Sequence, residues 1–186
     1  MQGLFSRWGA LVLSLLLTAA AVPAQAQKVK LSTSQGDIVV ELDAAKAPKT
    51  VDNFIQYVKA GHYNGTVFHR VIDNFMIQGG GMTADLRQKP TRPPIPLESK
   101  NGLNNVRGSV AMARTNDPNS ATAQFFISVK DNAFLDAANS RDGNGYAVFG
   151  HVVSGMDVVD KIKAVPTGPG DVPVQPVTIK TATLEK

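Results

Sequence analysis

Cysteine does not occur anywhere in the 186 residues. That single absence excludes disulfide staples, thiol nucleophiles and cysteine-bound metals. Other familiar chemistry is missing too. There is no nucleophile elbow, no phosphate loop ending in Lys-Ser/Thr and no His-Glu-x-x-His pair. The three histidines, His62, His69 and His151, are far apart and lack carboxylates at ligand spacing, so neither a metal nor a cofactor is expected. Positive charge is not concentrated: 19 Lys and Arg against 15 Asp and Glu give +4, scattered without a dense run. Nucleic acid is therefore not an expected partner. No internal repeat is visible, and nothing after the first 26 residues is apolar enough to span a bilayer.

What is present begins with an export pattern. Arg7 supplies a positive start, Leu11 to Ala21 form an uncharged apolar run, and Ala24-Gln25-Ala26 offers small residues where an export peptidase reads. The run is shorter than the roughly 20 residues a membrane span needs. Residues 1–26 are expected to be a signal peptide cleaved after Ala26, leaving 27–186 as one periplasmic domain with its own core and no membrane attachment.

Along that domain, Val29 and Leu31 alternate with polar residues, Gln35-Gly36 interrupts, and Ile38, Val40 and Leu42 alternate again. This predicts a hairpin with one buried face. Val51, Phe54, Ile55 and Val58 then fall at helical spacing, with Pro48 suited to the first turn and Gly61 placed to end it. Residues 66–81 predict two strands around a turn at Asp73-Asn74, and Gly79 to Gly81 predict a sharp exit or a close backbone approach. Four prolines between 90 and 96 predict loop. Further strands are expected at 109–113, 124–129, 146–153 and 177–184, with a second helix from Met156 to about Ala164. Many short strands with two helices point to a closed antiparallel barrel, although spacing alone leaves a sandwich open.

Two segments are unusual. Arg70 and Gln78 sit among apolar neighbours in 68–80, and 109–115 followed by 120–127 holds a second such stretch. Phe-His-Arg-x-Ile-x-x-Phe-Met-x-Gln-Gly-Gly at 68–80, Gln-Phe-Phe-Ile at 124–127, Phe-Leu-Asp at 134–136 and Val-Phe-Gly at 148–150 together resemble the cyclophilin family of peptidyl-prolyl isomerases, in family order across Val29 to Leu184. Met-Ala-Arg-Thr at 112–115 and Asn-Ala-Phe-Leu-Asp at 132–136 resemble its bacterial branch. The resemblance implies a mainly β fold, a closed eight-stranded antiparallel barrel capped by two α-helices.

It also implies a site. Phe75, Met76, Phe126 and Leu135 would form an apolar floor for proline. Arg70 would be the donor beside the amide, Gln78 would hold Arg70 and the substrate, and Gln124 would lie alongside. The backbone of Ala113 would pair with the residue before proline, and His69 would serve packing or hydrogen bonding, since the reaction moves no proton. Three positions depart from the best-known eukaryotic members, which have tryptophan, histidine and asparagine where this chain has Phe134, Tyr146 and Arg114. Isomerase activity is expected to survive these changes and binding of the cyclic peptide cyclosporin to weaken. The expected partners are proline-containing unfolded polypeptides, met by a monomer. The alternatives are a chaperone module that holds proline segments without turnover, and a hollow ligand-carrying barrel of the lipocalin kind.

Overall fold

A computed structural model describes residues 27–185, and the export pattern lies outside the described residues. β1 (Lys28–Thr33) and β2 (Gly36–Leu42) form the expected hairpin, in which Val29, Leu31, Ile38, Val40 and Leu42 turn inward. α1 (Pro48–Lys59) follows with Pro48 in its first turn. Its capping residue, Ala47, has no side chain to offer. The carboxylate of Glu98 takes that place, accepting the N–H groups of Lys49 at 3.2 Å and Thr50 at 2.8 Å. A negative group is favoured there because the first N–H groups of a helix lack partners. Gly61, at φ +66°, terminates the element in the left-handed region.

β3 (Thr66–Ile72) and β4 (Met76–Thr83) form a second hairpin, followed by β5 (Ser109–Met112), β6 (Phe125–Ser128), β7 (Val148–Ser154), α2 (Met156–Lys163) and β8 (Thr178–Leu184). The strands close in the order β1-β2-β7-β5-β6-β4-β3-β8, and β8 pairs back onto β1. Every pairing is antiparallel. The expected eight-stranded barrel with two helices is what the chain forms.

The barrel is filled. Phe54 of α1 packs with its ring centre 5.0 Å from Tyr63, 5.6 Å from Phe125 and 5.1 Å from Phe149. Val158, Val159 and Ile162 of α2 join the same core. A hollow carrier of small ligands is excluded by these side chains.

The glycine run corrects one alternative. Gly79 to Gly81 lie within β4 and make no sharp exit. Close approach is the reason for them: a Cβ on Gly80, at φ +84°, would stand 2.8 Å from the Phe125 ring and 2.9 Å from that of Tyr63.

A second, smaller apolar cluster lies outside the barrel wall. It comprises Met76, Ala111, Phe126, Leu135 and Val148. Strand alternation creates it. Ile77, Val110 and Ile127 point into the barrel core, so their neighbours Met76, Ala111 and Phe126 point out.

Candidate active site

The orientation of Arg70 depends on an irregularity in β3. Phe68 is paired with Gly79 and Arg70 with Gln78, so His69 is an extra residue with no partner across the ladder. Such a bulge shifts the alternation by one. Phe68 and Val71 are therefore both buried in the barrel core, while Arg70 between them is exposed on the outer face. In a regular strand Arg70 would share the face of Phe68 and point into hydrocarbon.

On that outer face Arg70 lines a cleft of about 280 Å³. Its floor is Met76, Phe126 and Leu135, with Phe75 at one side. Gln78, Ala113, Arg114 and Tyr146 complete the lining. Phe126 meets Tyr146 edge to face, ring centres 5.6 Å apart. Leu135 is set by the short 3-10 turn Ala133–Leu135, which Asn132 anchors by donating its amide to the Phe75 carbonyl at 2.9 Å. Nine of the twelve residues singled out from the sequence thus share one cleft.

The other three stand beside it. Gln124 accepts a hydrogen bond from the Gln78 amide at 2.9 Å. Phe134 is 56% exposed and stacks on Phe75, centres 5.6 Å apart and planes 28° from parallel. His69 is buried with Nδ1 unpartnered among the described residues, and burial, followed by the nearby Arg70 charge, pushes its pKa below the ordinary value.

One expectation changes and the roles of two further residues are narrowed. Gln78 faces Arg70 across the ladder, but its amide is given to Gln124, so Arg70 is held elsewhere. Its Nε donates to Asp171 Oδ2 at 3.4 Å. Asp171 ends the turn Pro169–Asp171 at φ +62°, a region that aspartate tolerates better than most residues. Ala113 has already donated its N–H to the Gln124 carbonyl at 2.9 Å, so pairing with a substrate would fall to its carbonyl. Arg114 is no free donor, since its side chain is only 4% exposed. Asp171, Asp142 and Asn132 were not foreseen. Asp171 stands 101 residues from its partner, and only the Pro-Gly-Asp turn marks it in the sequence. Among the described residues, no group of three His, Asp or Glu converges where a metal ion could bind.

Comparison with known proteins bears on the family and the fold. Residues 28–184 match the family described as cyclophilin type peptidyl-prolyl cis-trans isomerase/CLD. The chain is 62% identical over 161 residues to a Streptomyces antibioticus peptidyl-prolyl cis-trans isomerase, covering 84% of this chain and 97% of the relative. It is 53% identical over 163 residues to peptidyl-prolyl cis-trans isomerase B of Escherichia coli K12, covering 85% and 99%. A crystal structure of a Cryptosporidium parvum cyclophilin superposes with a TM-score of 0.74 at 26% identity, covering 87% of this chain and 98% of that one. With motifs, closed barrel and relatives in agreement, the chain belongs to the cyclophilin-type peptidyl-prolyl cis-trans isomerases, enzymes that rotate the bond preceding proline.

Proposed function

We propose that the cleft beside Arg70 is where this isomerase twists the prolyl bond, and that its substrates are unfolded, proline-containing proteins exported to the periplasm. The observation that supports the site is the placement of a guanidinium at the rim of an apolar floor by the bulge at His69.

Rotation about the bond before proline must break amide resonance, against a barrier of about 18–20 kcal/mol, and takes tens to hundreds of seconds unaided. No covalent bond to the protein and no proton transfer is required. A site that binds the twisted imide more tightly than either planar form is sufficient.

The floor of Met76, Phe126 and Leu135 would hold the proline ring by burial. Arg70 would then donate to the carbonyl of proline and to the imide nitrogen, whose lone pair localises as resonance is lost. Because Nε is engaged by Asp171, the two terminal nitrogens are left to act on the substrate. A fixed donor aimed at developing charge contributes about 2.7–4 kcal/mol in a dry site. The Arg70 side chain is 44% exposed, and solvent screening puts the expectation at the lower end, roughly a hundredfold in rate. Gln78, steadied by Gln124, would bind the substrate backbone beside it.

A protease-coupled isomerisation assay on a short proline peptide tests this. Arg70→Ala should fold normally and lose about a hundredfold in kcat/KM; a near-normal rate in the folded variant would remove Arg70 from its role. For export, the protein recovered from a periplasmic fraction should begin at Gln27 by mass spectrometry. Recovery only from the cytosol with Met1 retained would count against it.

A further inference from the structure

Arg114 lines the cleft, yet its guanidinium is bound to the chain itself on several sides. Nε donates to the Gly145 carbonyl at 2.9 Å, Nη1 to the Thr115 carbonyl at 2.9 Å and Nη2 to the Asp142 carboxylate. Its Cζ lies 4.7 Å from the centre of the Tyr146 ring. Three of five donors are thus committed internally and one face of the plane is covered.

The loop it grips would be loose without such anchors. Gly143 and Gly145 lie in the left-handed region at φ +67° and +62°, so the unfolded chain has high entropy here. Asp142 organises the loop from within by accepting the N–H groups of Asn144 at 3.0 Å and Gly145 at 3.2 Å. At its far end the Tyr146 N–H donates to the Leu135 carbonyl at 2.9 Å, and the ring sits edge-on to Phe126. A continuous path of contacts therefore runs from Asp142, which is outside the cleft, through Arg114 to Tyr146 and the floor.

We infer that Arg114 is a positioning residue: together with Asp142 it fixes the Asp142–Tyr146 loop so that Tyr146 stands as a rigid wall of the groove, and it does not itself bind substrate. This rests on the cleft being the substrate site. A rigid wall lowers the cost of ordering the groove on binding, so its loss acts on KM more than on kcat. Lysine cannot replace the planar fork that reaches three acceptors while stacking on a ring.

Steady-state kinetics on a short proline peptide test the inference with Arg114→Ala, Arg114→Lys, Asp142→Ala and the Arg114→Ala/Asp142→Ala pair. Each single variant should raise KM about tenfold with kcat within about twofold, and the pair should be no worse than Arg114→Ala alone. A normal KM in Asp142→Ala, rescue by Arg114→Lys, or multiplying effects in the pair would overturn it. Near-ultraviolet circular dichroism checks folding; should Arg114→Ala not fold, Asp142→Ala carries the test by itself. Arg70→Ala, run alongside, separates the two ideas. A near-normal rate there defeats the cleft as substrate site, whereas an unchanged KM in Asp142→Ala defeats only the role given to Arg114.

Discussion

The guanidinium Nε of Arg70 and a carboxylate oxygen of Asp171 lie 3.4 Å apart, joining β3 to the turn before β8. Both side chains are nearly half exposed. Such a pair contributes about 0.2–1 kcal/mol and is screened by salt. If the cleft is the substrate site as proposed, its value would lie in orientation, since it engages Nε and leaves the terminal nitrogens of Arg70 unclaimed by Asp171. Asp171→Asn should lower kcat/KM by roughly twofold to fivefold at low ionic strength. The difference from the parent should shrink in 1 M salt, which a rate series against salt concentration would reveal. A loss of a hundredfold would mean that Asp171 does more than hold its partner.

Glycine 80 offers a stability test with an internal control. An alanine there would meet the Phe125 and Tyr63 rings below 3 Å in addition to adopting φ +84°, whereas at Gly65, φ +76°, nothing lies within 4 Å. Gly65→Ala should cost only the backbone penalty, about 1–2 kcal/mol. Gly80→Ala should cost clearly more, about 3 kcal/mol or above, since the core must shift. Denaturant midpoints of the two variants would show the difference, and equal midpoints would refute the packing account.

Acid should weaken the fold through histidine. Burial lowers the pKa of His62 and of His69 from the ordinary value of 6.5, aided by Lys89 in the first case and by Arg70 in the second. The folded form therefore prefers both rings neutral, while the unfolded chain takes up protons below about pH 6.5. Stability from this source is complete above that pH and declines as pH falls from 6.5 toward the folded-state values. Urea midpoints measured from pH 8 to pH 5 should fall. In His69→Gln that fall should be shallower, and an unchanged slope would show that His69 titrates alike in both states.

Phe134 should govern cyclosporin affinity. It stacks on Phe75 at the edge of the cleft and carries no N–H donor. Phe134→Trp should tighten inhibition by roughly threefold to tenfold, the value of one net hydrogen bond. Inhibition curves for parent and variant are the measurement, and nanomolar inhibition of the parent would contradict the expectation.

The sequence foretells much of this molecule because most of its signals are local. Alternation in 29–42 and the helical stripe from Val51 to Val58 encode elements that any consistent core would use, and the order of motifs from Phe68 to Gly150 places the cleft. What escapes is of two kinds. The first is the consequence of a single extra residue: only pairing against β4 shows that His69 is skipped, so the face taken by Arg70 is not legible from β3 alone. The second is contact over long distances, as between Glu98 and the start of α1, Asp171 and Arg70, or Asp142 and Arg114. The motif at 112–115 says where Arg114 stands, beside the cleft. Which atoms it binds depends on a loop some thirty residues later.

Because β8 closes onto β1, the sheet formed by the described residues is a ring with no terminal strand. A catalyst proposed to meet unfolded chains is thereby denied the surface to which such chains most readily adhere. Under the proposed function, a client's main chain would meet this protein in the cleft rather than along an open sheet edge.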